Sequence, residues 1–194
     1  MADAGPWILW VDGIGGYLVC PGTSVSLGQG FADPPADVPL LADVARNHAV
    51  IRRDGERYWL EAAKPCRVNQ KPATQMPLND DDRICLGDSC QLLFARPEPL
   101  SASARLSLVS GHRFGDPVDA VLLMAQTLIL GPQTSAHVPV TELKERVVIV
   151  RDGTGLAVKS ATIRIGNEIH RDRAALKLGV PTTIEDVTLT LELR

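Results

Sequence analysis

The stretch AVIRRDGERYWL, residues 49–60, decides the fold class of this chain. Runs rich in β-branched and aromatic residues flank a turn at Arg53-Asp54-Gly55-Glu56, and this pattern predicts a β-hairpin. A close copy of the first strand and its turn, VIVRDG, returns at residues 148–153. The hairpin predicts a β-rich fold, and its return predicts that the fold occurs twice.

A second pair of matching segments supports this repeat. Val25-Ser26-Leu27-Gly28-Gln29 resembles Leu128-Ile129-Leu130-Gly131-Pro132, which lies 103 residues further along, whereas the two hairpin segments are 98 residues apart. Two matches in the same order, at a spacing near 100 residues, indicate tandem copies of one domain. The smaller spacing of the hairpins implies a shorter intervening loop in the second copy.

Short apolar or alternating runs recur at intervals of about 8–12 residues, separated by turn residues, which is typical of antiparallel β-sandwiches with minimal helix. The predicted strands are residues 7–11, 17–20, 25–27, 49–51, 58–60, 67–69, 84–86, 91–94, 106–109, 120–123 and 127–130. Residues 29–43 hold three prolines and are predicted as a long loop. Residues 171–178 are the stretch that could form two helical turns.

The domain organisation follows from the repeat and from a stretch rich in Pro, Ser and Ala at residues 96–103. Such a composition is typical of a linker. The sequence therefore predicts an all-β protein of two tandem antiparallel β-sandwiches, residues 1–97 and 105–194, joined by a linker over residues 98–104. Seven of the eight aromatic residues lie before residue 95, so the second domain is expected to have an aliphatic core.

Charge and hydropathy exclude several classes of partner. The net charge is −3, and neither half has an excess of Lys and Arg, so no nucleic acid and no anionic membrane is expected as a partner. No apolar run approaches the ~20 residues of a membrane helix, and the N-terminus lacks a signal pattern. Together with four unpatterned cysteines, this predicts a cytoplasmic protein with free thiols.

No motif in the chain indicates catalysis or a cofactor. The chain contains no P-loop, no G-x-S-x-G and no H-E-x-x-H, and its four histidines are scattered singly. The acidic run Asp80-Asp81-Asp82 lacks the ligand spacing of a calcium loop. We therefore expect no enzyme activity, no cofactor and no metal site, and the sequence assigns no oligomeric state.

Four motifs follow one another in the first half: Leu27-Gly28-Gln29, Ala45-Arg46-Asn47-His48-Ala49, Val68-Asn69-Gln70, and residues 78–87 with the sequence LNDDDRICLG. In this order they resemble the Gly-Arg, S-R-x-H-A, V-N-G and L-x-x-G-D-x-I-x-L-G steps of the forkhead-associated (FHA) domain family, over about residues 7–96. The resemblance implies a β-sandwich whose loops at one end bind phosphothreonine peptides.

The motifs depart from the family pattern at the positions that would meet a phosphate. Gln29 stands where the family has Arg, Ala45 stands where it has Ser, and Lys64-Pro65 replaces an Asn-Gly pair. A phosphothreonine carries about −1.5 to −2 charges and calls for charged and hydroxyl donors. The resemblance therefore implies an interaction module with a degraded phosphothreonine pocket.

The resemblance assigns candidate residues to two roles. Gly28 and His48 would support the loops. The residues expected to contact a phosphopeptide or another partner segment are Gln29, Arg46, Asn47, Lys64, Arg67 and Asn69. Asn69 is also the residue type that holds a turn.

The second copy departs further from the family pattern. It has Gly131-Pro132 at the Gly-Arg position and no histidine in register, so it resembles the family in fold only.

The sequence thus favours a non-catalytic protein-interaction module of the FHA type, in a signalling or scaffolding assembly, with a protein or peptide partner. The alternative is a weak reader of threonine-phosphorylated peptides through the first domain. A third possibility, an enzyme without a recognisable motif, lacks any nucleophile–base pair in the sequence.

Overall fold

The computed structural model describes residues 5–194, which form β-strands and connections and contain no helix. The strands of the first half are β1 (Trp7–Val11), β2 (Gly15–Cys20), β3 (Ser24–Gln29), β4 (Val38–Leu41), β5 (Ala49–Asp54), β6 (Arg57–Ala62), β7 (Cys66–Val68), β8 (Lys71–Pro72), β9 (Gln75–Leu78), β10 (Asp82–Leu86) and β11 (Cys90–Ala95). Those of the second half are β12 (Ala104–Leu108), β13 (Arg113–Phe114), β14 (Ala120–Leu123), β15 (Thr127–Gly131), β16 (Val138–Pro139), β17 (Val147–Asp152), β18 (Gly155–Lys159), β19 (Ile163–Ile165), β20 (Glu168–His170), β21 (Ala174–Leu176), β22 (Thr182–Ile184) and β23 (Val187–Leu193). The predicted all-β fold is confirmed.

The strands form three sheets. A central sheet of twelve strands has the order β20-β19-β22-β23-β1-β2-β14-β12-β11-β10-β7-β8. The first outer sheet has the order β13-β4-β3-β5-β6-β9, and the second outer sheet has the order β16-β15-β17-β18-β21. In the described chain no helix is long and apolar enough to cross a membrane.

The two outer sheets cover opposite faces of the central sheet. Leu18 of β2 and Val121 of β14 belong to the core beneath the first outer sheet, whereas Val19 and Leu122 belong to the core beneath the second. Because successive side chains of a strand point to opposite faces, these neighbours must enter different cores. The middle strands are thus buried on both faces, which explains their unbroken apolar sequences.

The outer sheets repeat one strand order. Five neighbouring strands of the first sheet, β4-β3-β5-β6-β9, have the same spatial order and chain order as the five strands of the second, β16-β15-β17-β18-β21. In both, the first two strands pair in parallel and the others pair antiparallel. The segments that match in the sequence, around Gly28 and Gly131, therefore occupy corresponding strands.

The central sheet connects the ends of the chain. The N-terminal hairpin β1–β2 pairs through β1 with the last strand, β23, and through β2 with β14. The edge of β11 is instead covered by β12, whose partner is β14. The central sheet continues from residues 1–97 into residues 105–194, because β11 pairs with β12. That these two ranges are separate domains stays a prediction.

The predicted linker, residues 98–104, packs against the second half at several positions. Glu98, Ser101 and Ser103 are buried. The Ser103 hydroxyl donates to the carbonyl of Thr127 at 2.6 Å and accepts from the N–H of Ala125 at 2.9 Å. Leu100, in contrast, is 96 % exposed.

Two local predictions are wrong. The predicted loop 29–43 contains β4, because Val38–Leu41 pairs in parallel with β3 and buries Val38 and Leu40. The predicted helical turns at 171–178 contain β21, where Ala174 and Leu176 are buried and Ala175 is exposed. This alternation matches a strand on β18, and tertiary pairing outweighs local helix propensity.

The expectation of an aliphatic second core is also wrong. Trp7 and Tyr17 lie in the core beneath the second outer sheet. Both come from the N-terminal hairpin, which the sequence analysis assigned to the first domain. The aromatic imbalance along the chain therefore does not separate the two cores.

The strand directions bring two sets of loops to one end of the molecule. β2 and β14 run in parallel, and each next strand outwards alternates in direction, so β10 and β22 also run the same way. The β10–β11 and β22–β23 turns therefore lie at the same end of the central sheet. Seven strand spacings separate β10 from β22, about 34 Å along the sheet.

Candidate peptide-binding loops

The loops between strands of the first sandwich meet at one end of it, which we call the loop end. It comprises residues 42–48, 63–65 and 87–89. Backbone bonds join the loops: the N–H of Lys64 donates to the carbonyl of His48 at 3.2 Å, and the N–H of Gly87 donates to the carbonyl of Pro65 at 3.0 Å. The three loops are therefore held together as one surface.

His48 lies at the centre of these connections and is only 3 % exposed. Its Nδ1 accepts from the N–H of Ala45 at 3.1 Å, and its Nε2 lies 2.9 Å from the carbonyl oxygen of Pro65. An imidazole protonated on Nε2 satisfies both bonds, and the N–H of Gly87, which lies 3.2 Å from Nε2, then donates to the carbonyl of Pro65. Since both ring nitrogens and the backbone are engaged, His48 builds the loops and has no atom free for a ligand.

Gly28 permits the close approach of β3 to the turn at 45–46. A Cβ at this position would overlap the carbonyl oxygen of Arg46. The next residue, Gln29, donates its N–H to the carbonyl of Ala45 at 3.1 Å. The missing side chain at Gly28 thus places Gln29 directly beside Ala45 and Arg46.

Arg46 and Asn47 project from this turn and are exposed. Neither side chain has a hydrogen bond or ion pair among residues 5–194, and neither does that of the half-buried Gln29. The structure therefore brings Gln29, Arg46 and Asn47 together with side chains available to a partner. Lys64, also exposed, joins them through its backbone bond to His48.

Arg67 lies at the border of the loop end. Its Nη2 is 3.4 Å from both the Cys85 sulfur and the carbonyl oxygen of Asp88. The hydrogen bond to the Cys85 sulfur raises the pKa of the Arg67 guanidinium. Arg67 lines two separate grooves, both of which are described below.

Asn69 does not join the loop end, because it follows β7 whereas Lys64 precedes that strand. Its Nδ2 donates to Oδ1 of Asp82 at 2.7 Å, and its Oδ1 accepts from the N–H of Arg83 at 3.0 Å. With φ at 49°, Asn69 sits in the left-handed region, which Asn tolerates better than most residues. The side chain holds a turn.

A groove of about 470 Å³, which we call the loop groove, opens beside the 63–65 loop. Its walls are mostly small and apolar, with charged groups at the rim; the lining residues are Ala62, Ala63, Lys64, Pro65, Cys66, Arg67, Pro72, Ala73, Thr74, Gly87 and Asp88. The sequence analysis missed Gly87 and Asp88, although the final Gly of the LNDDDRICLG motif marked the position. Among the described residues no cluster of His, Cys, Asp or Glu could hold a metal ion.

Comparison with known proteins supports the resemblance seen in the sequence. A family model described as "FHA domain" matches residues 25–87. Two solved structures are similar: one from a "structural and functional analysis of phosphothreonine-dependent FHA domain interactions", and one described as "Rv0020c_FHA Structure". No curated protein matches the chain.

The similarity is confined to part of the chain. The first structure is 29 % identical, with 42 % of this chain and 86 % of that chain covered and a TM-score of 0.32. The second is 31 % identical, with 42 % of this chain and 83 % of that chain covered and a TM-score of 0.31. Residues 25–87 of the chain therefore form a region of the FHA-domain family.

Proposed function

We propose that this chain is a non-catalytic protein-interaction module whose loop end binds a segment of a partner protein without requiring phosphothreonine. FHA domains are protein-interaction modules that bind phosphothreonine peptides, and the family match makes a protein partner the basis of the proposal. The observation that carries it is the pairing of an intact His48 scaffold with Gln29 and Ala45 at the positions where the family has Arg and Ser.

The donors that a phosphate would need are weak or already used. Ala45 has no side-chain donor, and its N–H is bonded to Nδ1 of His48. The N–H of Gln29 is bonded to the carbonyl of Ala45. What Gln29 retains is a neutral side-chain amide, and hydrogen bonds between neutral groups have roughly half the strength of charge-assisted ones.

The remaining features suit an unmodified segment. The loop groove has walls of Ala62, Ala63, Pro65 and Ala73, which suit an apolar side chain of a partner. Lys64 and Arg67 at its rim add attraction for carboxylates. Gln29 and Asn47 can donate to and accept from a peptide backbone, so the loop end can hold an extended segment without a phosphate.

One observation favours a second candidate function, weak phosphothreonine reading. Arg46 is exposed beside Gln29 and has no partner among the described residues. Its guanidinium could supply one charge-assisted bond to a phosphate, and Lys64 could supply another. In that case binding would depend on the phosphate and on Arg46.

We further infer that the second sandwich is a second FHA-like unit, formed by the strands from β15 onwards. This moves the start of the predicted unit 105–194 to β15, and it draws support from the shared strand order of the two outer sheets. The pairing of β1 with β23 indicates that the N-terminal hairpin completes this unit. The signalling or scaffolding role and a reducing, cytoplasmic location are part of the same proposal, the latter supported by four free cysteines.

Titration calorimetry decides between the two candidates. Peptides with randomised flanks are presented in pairs, with threonine or phosphothreonine at the centre, and the tightest pair is titrated into the whole chain. Comparable affinity for both members supports the proposal. The second candidate would be established instead by micromolar binding that requires the phosphate. This binding should be lost in Arg46→Ala and should persist in Arg57→Ala, a variant distant from the loop end.

A further inference from the structure

One face of the central sheet stays open where β7, β10 and β11 lie side by side. The opposite face of these strands contributes Val68, Ile84 and Leu92 to the first core. On the open face a groove of about 550 Å³, which we call the arginine groove, is lined by Arg67, Asn69, Gln70, Arg83, Ile84, Cys85 and Gln91. It lies outside the loop end, except that Arg67 borders both.

The register of the strands arranges the groove's side chains. Cys85 of β10 pairs with Arg67 on one side and with Gln91 on the other. Arg83 lies two residues before Cys85 and therefore points to the same face. Diagonal neighbours in a sheet are roughly 7–8 Å apart, so the guanidinium groups of Arg67 and Arg83 can bind one extended ligand together.

These two arginines have no carboxylate partner in the described chain. Arg67 bonds only to a sulfur and a carbonyl oxygen, and the exposed side chain of Arg83 has no hydrogen bond or ion pair. Four arginines elsewhere in the described chain do pair with carboxylates: Arg52 with Glu61, Arg146 with Glu98, Arg173 with Asp152 and Arg194 with Asp116, at 2.7–3.0 Å. No residue lining the arginine groove is acidic. On a chain with a net charge of −3, this is a local excess of positive charge.

We propose that the arginine groove is a second docking site, which binds an acidic, extended segment of a partner protein. Carboxylates of the segment pair with Arg67 and Arg83, and the carboxamides of Gln70 and Gln91 bond to its backbone. Charge complementarity selects carboxylates, since an Arg–carboxylate pair can form two parallel bonds. The lining contains no aromatic side chain on which a base could stack, which disfavours single-stranded nucleic acid.

Cys85 provides a reporter inside the groove. It is half-exposed, whereas Cys20, Cys66 and Cys90 are buried. Burial raises the pKa of Cys20 to about 12 and the pKa values of Cys66 and Cys90 to about 11. An alkylating reagent at neutral pH is therefore expected to modify Cys85 first, and a ligand in the groove is expected to slow that reaction.

The test uses the whole chain and a fluorescein-labelled octaglutamate peptide, with octaglutamine as the uncharged control. Fluorescence anisotropy at low salt should show binding of octaglutamate that weakens as salt is added, because exposed charges are screened. The same peptide should slow the alkylation of Cys85 by iodoacetamide, followed by mass spectrometry. Octaglutamine should do neither.

Three variants locate the site. Arg83→Ala should weaken octaglutamate binding about threefold at low salt, the loss expected for one exposed charge pair. Arg57→Ala, which removes an exposed arginine from the first outer sheet, should bind as the wild type does. Lys64→Ala removes a positive charge at the loop groove and should weaken octaglutamate binding less than Arg83→Ala does. A larger loss in Lys64→Ala would place the peptide at the loop groove and overturn the proposal. Because the proposed function is tested with peptides centred on threonine, the two proposals can fail separately.

The proposal is overturned if the wild-type chain does not bind octaglutamate, or if Arg83→Ala binds it as tightly as the wild type. Unchanged alkylation of Cys85 in the presence of saturating peptide would also overturn it, because binding would then lie elsewhere. A single-stranded oligonucleotide serves as a competing ligand. If it binds more tightly than octaglutamate, and if Arg83→Ala weakens its binding, the ligand of the groove is a nucleic acid and the proposal is overturned.

Discussion

At the scale of single residues, the loop end separates its scaffold from its binding chemistry. Gly28 and His48 fix the positions of the loops through a close backbone approach and through bonds to Ala45 and Pro65. Gln29 and Ala45 occupy the places from which the family's phosphate donors would act. Restoring those two side chains should therefore restore phosphate binding without rebuilding the loops.

The double variant Gln29→Arg/Ala45→Ser is expected to gain phosphothreonine-dependent binding. The new guanidinium and hydroxyl would add charge-assisted bonds that the wild type lacks, so the preference for a phosphothreonine peptide over its threonine counterpart should rise at least about tenfold. Titration calorimetry with the matched pair measures this preference. Gln29→Leu/Ala45→Val is the control without donors, and an unchanged preference in the Arg/Ser variant would contradict the proposed cause.

His137 makes stability depend on pH. It is fully buried, its Nδ1 accepts from the N–H of Ile129 at 3.0 Å, and its Nε2 has no hydrogen-bond partner among the described residues. Burial lowers the pKa of His137; the Arg105 charge acts in the same direction, while the Ser103 backbone and Glu98 oppose it. The unfolded chain therefore binds the proton more readily than the folded one, and the free energy of unfolding should fall as the pH drops below about 6.5.

Chemical denaturation between pH 5 and pH 8 tests this dependence. His137→Asn keeps an acceptor for the N–H of Ile129 but cannot titrate, so the variant should lose part of the acid destabilisation. His170→Asn, at a half-exposed histidine, is the matched control and should keep the slope of the wild type. Equal slopes for the wild type and His137→Asn would show that His137 does not cause the effect.

At the scale of elements, β14 divides its side chains between two cores. Val121 enters the core beneath the first outer sheet and Leu122 the core beneath the second. Leu122→Ala should cost about 2–5 kcal/mol and should speed amide exchange chiefly in β17. Val121→Ala removes two carbon atoms where Leu122→Ala removes three, and its effect on exchange should appear chiefly in β5. Hydrogen exchange of the two variants checks this, and identical exchange patterns would contradict the separation of the cores.

The elements also show what could be read from the sequence. The hairpin β5–β6 was predictable because its turn and alternation are local properties of residues 49–60. The loop scaffold was predictable because Gly28 and His48 stand in a recognisable order. β4 and β21 were not, because neither forms a hairpin with the strand before it: β4 pairs in parallel with β3, and β21 pairs with β18. The lining of the arginine groove depends on the cross-strand register of β7, β10 and β11.

At the scale of the whole molecule, the repeat in the sequence does not correspond to a simple cut in the chain. The apolar runs of β1 and β14 were recognised as strands, but their burial on both faces depends on partners far away in sequence. Trp7 pairs with Leu193 and Val19, and Ala104 pairs with Leu123. The hairpin β1–β2, which precedes the first outer sheet in the chain, therefore pairs with the last strand and contributes Trp7 and Tyr17 to the second core.

This arrangement predicts which fragments fold. A fragment of residues 23–124 contains the first outer sheet, β7, β8, β10 and β11, and also β12 and β14, which cover the edge of β11. This fragment opens one strand edge, that of β14, which loses β2. A fragment of residues 1–97 opens three, because β11 loses β12, β1 loses β23 and β2 loses β14. An uncovered strand edge and an exposed apolar hairpin favour aggregation.

Fragment 23–124 is therefore expected to unfold cooperatively and to give dispersed amide resonances, whereas fragment 1–97 should aggregate or remain loosely folded. Thermal unfolding followed by circular dichroism, and two-dimensional NMR of both fragments, compare them directly. Cooperative unfolding of fragment 1–97 together with a disordered 23–124 would show that the hairpin β1–β2 can close the first sandwich by itself. The central sheet would then join two units that fold independently, and the predicted boundary at residues 98–104 would be the correct one.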